Sequence, residues 1–261
     1  MIELIKESIL FNCEARIEMD EKAMYVPVGN GTETGLIKFL QDAEIPVHEI
    51  IKRKLNKIQT TIPFSSIRKR SVVAMHLPDT DMVRIYVKGA PEVVLHKCVK
   101  TFSVDGSKSH LTDEEINYIS QDVIYKQFTS KGLRTLAFGY KDMSLDEFND
   151  IKERCNGFAE EQDRDVLEQN LIFIGVFALE DDLRDKVLRS VQYARKGNLT
   201  VRMVSGDNLE TAKQVAIKAG IVTEEEASKN RYTCMSAEEF RKLVGELRRE
   251  RDNEGNFKLS I

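Results

Sequence analysis

Ser205-Gly206-Asp207-Asn208 brings a hydroxyl, a carboxylate and an amide together where a β-branched run gives way to a helical one. Thr200 to Val204 reads as a short buried strand. Ala212, Val215, Ala216 and Ala219 then recur along one helix face, and Gly220 closes that helix. A hydroxyl and free helix N–H groups at the carboxyl end of a strand suit a phosphate. The same residues also have a use without a ligand: Asp207 with Glu210 reads as a capping box.

Elsewhere, charges stand in unusual places. Lys88-Gly89-Ala90-Pro91-Glu92 ends a strand, where a Gly-Ala-Pro turn lets the backbone approach a ligand closely and Lys88 supplies a point charge. In Ile62-Pro63-Phe64-Ser65-Ser66-Ile67-Arg68-Lys69-Arg70 an aromatic ring precedes a basic triplet. That stretch reads as a core phenylalanine with a solvated strand entry, or as ligand groups. Arg134 lies in the apolar run Leu133 to Tyr140, where a guanidinium must meet an anion or run its stem to the edge. Glu33 falls in the first turn of a helix candidate, where the helix dipole favours a carboxylate. The glycines between Val26 and Gly35 make a turn but not the dinucleotide fingerprint G-x-G-x-x-G.

The elements that must hold these groups follow from periodicity. Residues 2 to 12 and Thr34 to Asp42 are amphipathic helices. Ser71 to Leu77 and Met82 to Lys88 form an antiparallel hairpin through the turn Pro78 to Asp81. Thr112 and Glu115 cap a helix with Ile116, Ile119 and Val123 on one face, ended by Gly132. Ser144 and Glu147 cap another, which runs into an acidic stretch to Gln169 that reads as solvated and without chemistry. Leu171 to Leu179 is the most apolar strand, and its run alone would assign it to a second, doubly wound domain. After it comes a helix with Leu183, Val187, Leu188 and Val191 along one side, and a last helix spans Ala237 to Arg251. The first part is therefore α+β, while the last supplies one helix–strand–helix unit whose partner strands are expected from sequence outside this chain.

Composition narrows the classes further. The 261 residues are 41% hydrophobic and 31% charged, enough for one large domain or two smaller ones. A net charge of −4, from 39 basic and 43 acidic side chains, gives no support for nucleic-acid or anionic-membrane binding. The longest apolar run, Leu171 to Leu179, has nine residues, too few to span a bilayer. Glu3, Lys6 and Glu7 follow Met1 closely, so no secretory leader is expected. Cys13, Cys98, Cys155 and Cys234 show no metal-ligand spacing and read as reduced thiols, and no metal site is expected.

Taken in order, T-E-T at 32 to 34, P-F-S-S-I-R-K-R-S at 63 to 71, K-G-A-P-E at 88 to 92, G-L-R-T-L-A at 132 to 137, E-D-x-x-R at 180 to 184 and S-G-D-N-x-x-T-A at 205 to 212 resemble the P-type cation-transporting ATPases. F-R-K-L-V-G at 240 to 245 makes the wording most similar to the plasma-membrane-type calcium pumps. The resemblance implies an α/β (α+β) chain. Its residues 1-182 would be a nucleotide-binding domain, an antiparallel sheet with flanking helices. Residues 183-261 would be part of a phosphorylation domain, an incomplete haloacid-dehalogenase-like Rossmann fold. Leu171 to Leu179 would then be the last strand of the first domain.

Site roles follow from the same resemblance. ATP, with Mg²⁺ held mainly by residues outside the chain, would be the ligand. Phe64 would stack on adenine, Glu33 would sit at the adenine end, and Lys69, Lys88 and Gly89 would line the pocket. Arg134 would meet the phosphates as a planar fork. Ser205, Gly206 and Asp207 would approach the γ-phosphate, and Asp181 and Arg184 would lie at the hinge. The family's D-K-T-G-T and G-D-G-x-N-D motifs are absent, and Asp182 stands where the hinge usually has proline. The implied function is the ATP-binding part of a calcium pump on the cytosolic face of a membrane, working with the remaining phosphorylation, actuator and membrane domains. This chain alone would not form the phosphoenzyme. A standalone ATP-binding or regulatory module is the alternative; a soluble phosphatase is disfavoured because no D-x-D-x-T is present.

Overall fold

The branched and aromatic residues between Arg70 and Gly89 form two long antiparallel strands in the computed structural model of the chain. The structure describes residues 1–21, 24–54, 57–180, 183–245, 248–251 and 257–260, with the backbone alone at 53, 54, 248–251 and 257–260. It divides into two compact units, Met1–Thr129 with Leu133–Asp181, and Ser130–Gly132 with Asp182–Ile261.

In the first unit, α1 (Ile2–Phe11), β1 (Arg16–Met19), β2 (Tyr25–Val28), α2 (Gly31–Asp42) and α3 (Val47–Lys54) lead to β3 (Ile58–Ser65), β4 (Arg70–His76) and β5 (Met82–Gly89). The one-turn helix α4 (Pro91–Val94) precedes β6 (Cys98–Phe102) and β7 (Lys108–His110). Then come α5 (Asp113–Tyr118), continued by a π-helical segment to Phe128, and β8 (Arg134–Ser144), α6 (Leu145–Arg154), α7 (Glu161–Arg164) and β9 (Leu171–Leu179). β1 and β2 pair with each other, and the other seven strands form one sheet in the order β3-β4-β5-β8-β9-β6-β7. Every pairing in that sheet is antiparallel except β6 with β9.

Strict alternation divides the core into two layers. Val72, Ala74, Val83, Ile85 and Val87 face one side, packed with Phe148 and Ile151 of α6 and with Leu167. Val73, Met75, Tyr86, Phe138 and Tyr140 face the other, under α1, α2 and α3. A one-residue slip of β4 against β5 would exchange these sets, so the register is fixed by burial on both sides. Each large apolar side chain sealed in this way contributes about 1.5–3 kcal/mol against chain entropy.

Several elements match the sequence reading. The Thr112–Glu115 capping box is present, and Ser144 Oγ accepts from Glu147 N–H at 3.1 Å. Others differ. β9 belongs to the large sheet, between β8 and β6, so its apolar run reflects a strand covered on both faces. α2 begins at Gly31, three residues before the expected start, because Asn30 Oδ1 accepts from Glu33 N–H at 3.0 Å and caps it there. The acidic stretch before Gln169 is not wholly solvated: Phe158, Leu167 and Glu168 are buried.

The second unit holds α8 (Val187–Lys196), α9 (Leu209–Lys218), α10 (Glu224–Lys229), α11 (Ala237–Val244) and the paired strands β10 (Arg248–Arg251) and β11 (Phe257–Ser260). The strand expected at Thr200–Val204 is absent, and Val204 is 97% exposed. A strand needs a neighbour for its backbone N–H and C=O groups, and no described strand of this unit pairs with these residues. The helix expected to run to Arg251 stops at Val244. Gly245 has a φ of +87°, and Arg248–Arg251 is strand instead. Gly220 (φ +72°) closes α9 as expected, its N–H and that of Ile221 donating to the carbonyls of Ile217 and Ala216.

Candidate functional site

β5 carries Lys88 out of the sheet on the α1–α3 side, the side that Tyr86 also faces. Lys88 is 5% exposed, so its ammonium needs a partner. Glu33, in the first turn of α2, supplies it: Lys88 Nζ donates to Glu33 Oε1 at 2.6 Å. The other carboxylate oxygen, Oε2, accepts from the backbone N–H groups of Glu14 at 3.0 Å and Ala15 at 3.1 Å. Burial alone would raise the Glu33 carboxyl, but the Lys88 ammonium and those two amides outweigh it and hold the group below its ordinary value. Cys13, beside the pair, is pushed up to about 11 by its burial and by the Glu33 charge.

Glu33 and Cys13 border a narrow cleft open to solvent, whose lining also includes Asn12, Phe64 and Ser71. Phe64 is 57% exposed, so the reading of it as a core phenylalanine is set aside. Asn12, which the sequence did not single out, ties the cleft floor together, its Nδ2 donating to the carbonyls of Ser71 at 3.1 Å and Tyr86 at 3.3 Å. The space it encloses is only about 20 Å³, room for about one water molecule, so a ligand ring would have to lie at its mouth.

The basic triplet does not behave as one solvated group. Lys69 sits in the left-handed region at φ +54°, with its N–H donating to Ser65 O at 2.6 Å and its ammonium 3.2 Å from Glu92. Gly89 is needed because a Cβ there would lie 2.4 Å from Lys69 O and 2.6 Å from Arg70 Cβ. The glycine of this corner thus admits the chain's own neighbouring turn, which hydrogen-bonds across it from Ala90 N–H to Lys69 O at 2.9 Å. Arg134, at the start of β8, is half-buried. Gly89 pairs with Ala137, so Arg134 lies three residues further, about 10 Å past the end of β5. Alternation with Leu136 and Phe138 puts it on the same face as Lys88.

Arg68 and Arg70 point to the opposite face. Glu168, 0% exposed, contacts both guanidinium groups, and Arg70 Nη2 also donates to Asp165 Oδ1 at 2.8 Å. Lys97 Nζ lies 3.3 Å from the same Asp165 oxygen. Sequence reasoning missed this cluster. The available signal was three adjacent cations, which demand countercharge, but nothing in their spacing points 98 residues ahead.

In the second unit Ser205 Oγ donates to Asp207 Oδ2 at 3.0 Å and accepts from Asp207 N–H at 3.1 Å. The expected Asp207–Glu210 box is not the cap of α9. Asn208 caps it, accepting from Thr211 N–H at 3.0 Å, which leaves the exposed Ser205 and Gly206 and the half-buried Asp207 as a turn ahead of the helix. Gly206 has open space where a Cβ would stand, and Arg184 is exposed. Asp181 and Asp182 lie outside the described residues. Among the described residues no group of three or more His, Cys, Asp or Glu is placed to hold a metal ion, and no helix is long and apolar enough to cross a membrane.

Residues 1–186 match the family described as P-type ATPase, cytoplasmic domain N. The chain is 32% identical over 255 residues to plasma membrane calcium-transporting ATPase 1 of Gallus gallus, covering 93% of this chain and 20% of that protein. It is 31% identical over 263 residues to plasma membrane calcium-transporting ATPase 4 of Bos taurus, covering 96% and 20%. It is 30% identical over 224 residues to a putative plasma-membrane-type calcium-transporting ATPase 7 of Arabidopsis thaliana, covering 86% and 20%. The chain thus spans about a fifth of the length of these curated relatives.

Proposed function

Because the chain belongs to the P-type cation-transporting ATPases, we propose that residues 1-182 form the nucleotide-binding domain of a calcium-transporting member, presenting ATP for phosphoryl transfer to an aspartate outside this chain. The observation that carries the reading is the buried Lys88–Glu33 pair beside an exposed Phe64 at the mouth of a narrow cleft. An exposed aromatic face fits a purine, and stacking of a base on such a ring is worth about 1–3 kcal/mol. Glu33 fits the base edge: a carboxylate has about four acceptor positions. These are met by Lys88, the Glu14 and Ala15 N–H groups and the Cys13 thiol, so an exocyclic amine would displace the thiol, the weakest donor of the four.

The base held there, Lys69 and Arg134 at the same end of the sheet supply the cations for the phosphates, Lys69 as a point charge and Arg134 as a fork. In the second unit, residues 183-261 would contribute Ser205, Gly206 and Asp207 to the γ-phosphate as part of the phosphorylation domain. Ser205 Oγ, which now donates to Asp207, would turn its hydrogen to a phosphate oxygen. Asp181 and Arg184 would serve at the hinge. The Mg²⁺ that accompanies a triphosphate would be held mainly outside this chain. In the parent pump, the working partners would be its actuator and membrane domains, with this segment on the cytosolic face.

Calorimetric titration of ATP into the chain tests the pocket. Binding is expected, with Phe64→Ala and Lys88→Ala each weakening it in proteins that keep their melting transitions; unchanged affinity in both would mean the pocket is misassigned. No steady phosphate release above background is expected from the chain alone, and release that disappears in Lys88→Ala would overturn that. A standalone ATP-binding module would instead appear as a soluble immunoreactive band near 29.9 kDa in source cells, rather than as a much larger membrane band.

A further inference from the structure

The turn between β3 and β4 is held from the face opposite the cleft. Arg68 and Arg70 flank Lys69 and both reach inward, while the Lys69 side chain is half-exposed beside Glu92. This in–out–in arrangement of three adjacent cations needs an anion beneath it. Glu168 meets both arginines, and Asp165 takes a further bond from Arg70. Arg68 is 3% exposed, and its ion-pair partner among the described residues is Glu168.

We propose that Glu168 is a positioning residue for nucleotide binding: by compensating Arg68 and Arg70 beneath the turn, it fixes Lys69 at the phosphate end of the cleft. This rests on the reading of Lys69 as a phosphate ligand. A desolvated guanidinium without its carboxylate is driven toward water. Release of either arginine would pull on the residue between them, and Lys69 holds a left-handed backbone and a carbonyl bond to Ala90 N–H that the displaced turn would not keep. The loss would then fall on Lys69 rather than on Glu33, which α2 holds.

The test is a double-mutant cycle read by ATP calorimetry on the full chain. Glu168→Gln is expected to weaken ATP about tenfold in the parent background, Glu168→Asp to fall between the two, and Glu168→Gln to have no further effect once Lys69→Ala is present. Trypsin is expected to cut after Lys69 faster in Glu168→Gln with no ligand added. Equal affinity of folded Glu168→Gln and parent protein, or equal losses in both backgrounds, overturns the proposal. If Glu168→Gln does not fold, the paired variant Arg68→Met with Glu168→Leu removes both buried charges, and the same cycle applies with the same criteria. Absence of ATP binding by the parent protein would instead defeat the nucleotide reading, while the trypsin comparison still reports on the turn.

Discussion

Two buried ion clusters sit at the same end of one sheet, on opposite faces, and they are built differently. On the α1–α3 side, Lys88 and Glu33 form a single pair at the wall of a cleft. Two backbone amides and the Cys13 thiol share the carboxylate. On the other side, Glu168 and Asp165 meet three cations, Arg68, Arg70 and Lys97, with Glu168 wholly sealed and Asp165 open to solvent. A pair whose weakest donor is a thiol can exchange that donor for a ligand at small cost, whereas a sealed carboxylate between two guanidinium groups holds its neighbours in place. On the proposed reading, the first side binds the nucleotide and the second keeps the binding surface in shape.

The largest expected effect tests that separation directly. Glu168→Ala leaves the buried Arg68 guanidinium without its carboxylate, and Arg70 with Asp165 alone, and is expected to lower stability by about 3–5 kcal/mol in urea unfolding. Lys88→Met leaves one carboxylate that still accepts from two amides, so about 1–3 kcal/mol is expected. Equal losses would break the comparison. For binding the order reverses. Phe64→Ala is expected to cost ATP affinity about 1–3 kcal/mol with little change in melting temperature, since its ring is mostly in solvent.

Acid sharpens the contrast further. The folded-state carboxyl of Glu33 titrates below its ordinary 4.5, so its contribution is fully present above that pH and is lost as pH falls through the depressed folded value. Melting temperatures taken downward from pH 6 should therefore decline below about pH 4.5, and less steeply in Glu33→Gln than in the parent. The smallest effect concerns Cys13, whose thiol is held near 11 by burial and the Glu33 charge. Alkylation of Cys13 at pH 7 should be slow and should quicken several-fold in Glu33→Gln, followed by peptide mass mapping.

How far the sequence foretold this depended on the range of each signal. Local signals were legible. The β4–β5 hairpin, the caps at Thr112 and Ser144, and the Schellman end at Gly220 each depend on residues a few positions apart. Phe64, Lys88 and Glu33 were named as candidates, but their meeting is a tertiary fact: Glu33 and Lys88 are 55 residues apart. The Arg68–Glu168 contact was illegible because a buried glutamate and a solvated one look alike in an acidic run. Thr200–Val204 failed for the opposite reason. Its letters are those of a strand, but a strand is a property of a pair, and the described part of this chain does not provide the second member.

Lys69 occupies a backbone conformation that glycine reaches freely and a lysine reaches at a cost of about 1 kcal/mol. Part of that would be returned to the unfolded chain on substitution, so Lys69→Gly should gain about 0.5 kcal/mol. A selection for heat resistance alone would therefore enrich Lys69→Gly and yield sturdier proteins that bind nucleotide less well. On the reading of Lys69 as a phosphate ligand, the best residue for endurance and the best for work differ at this position.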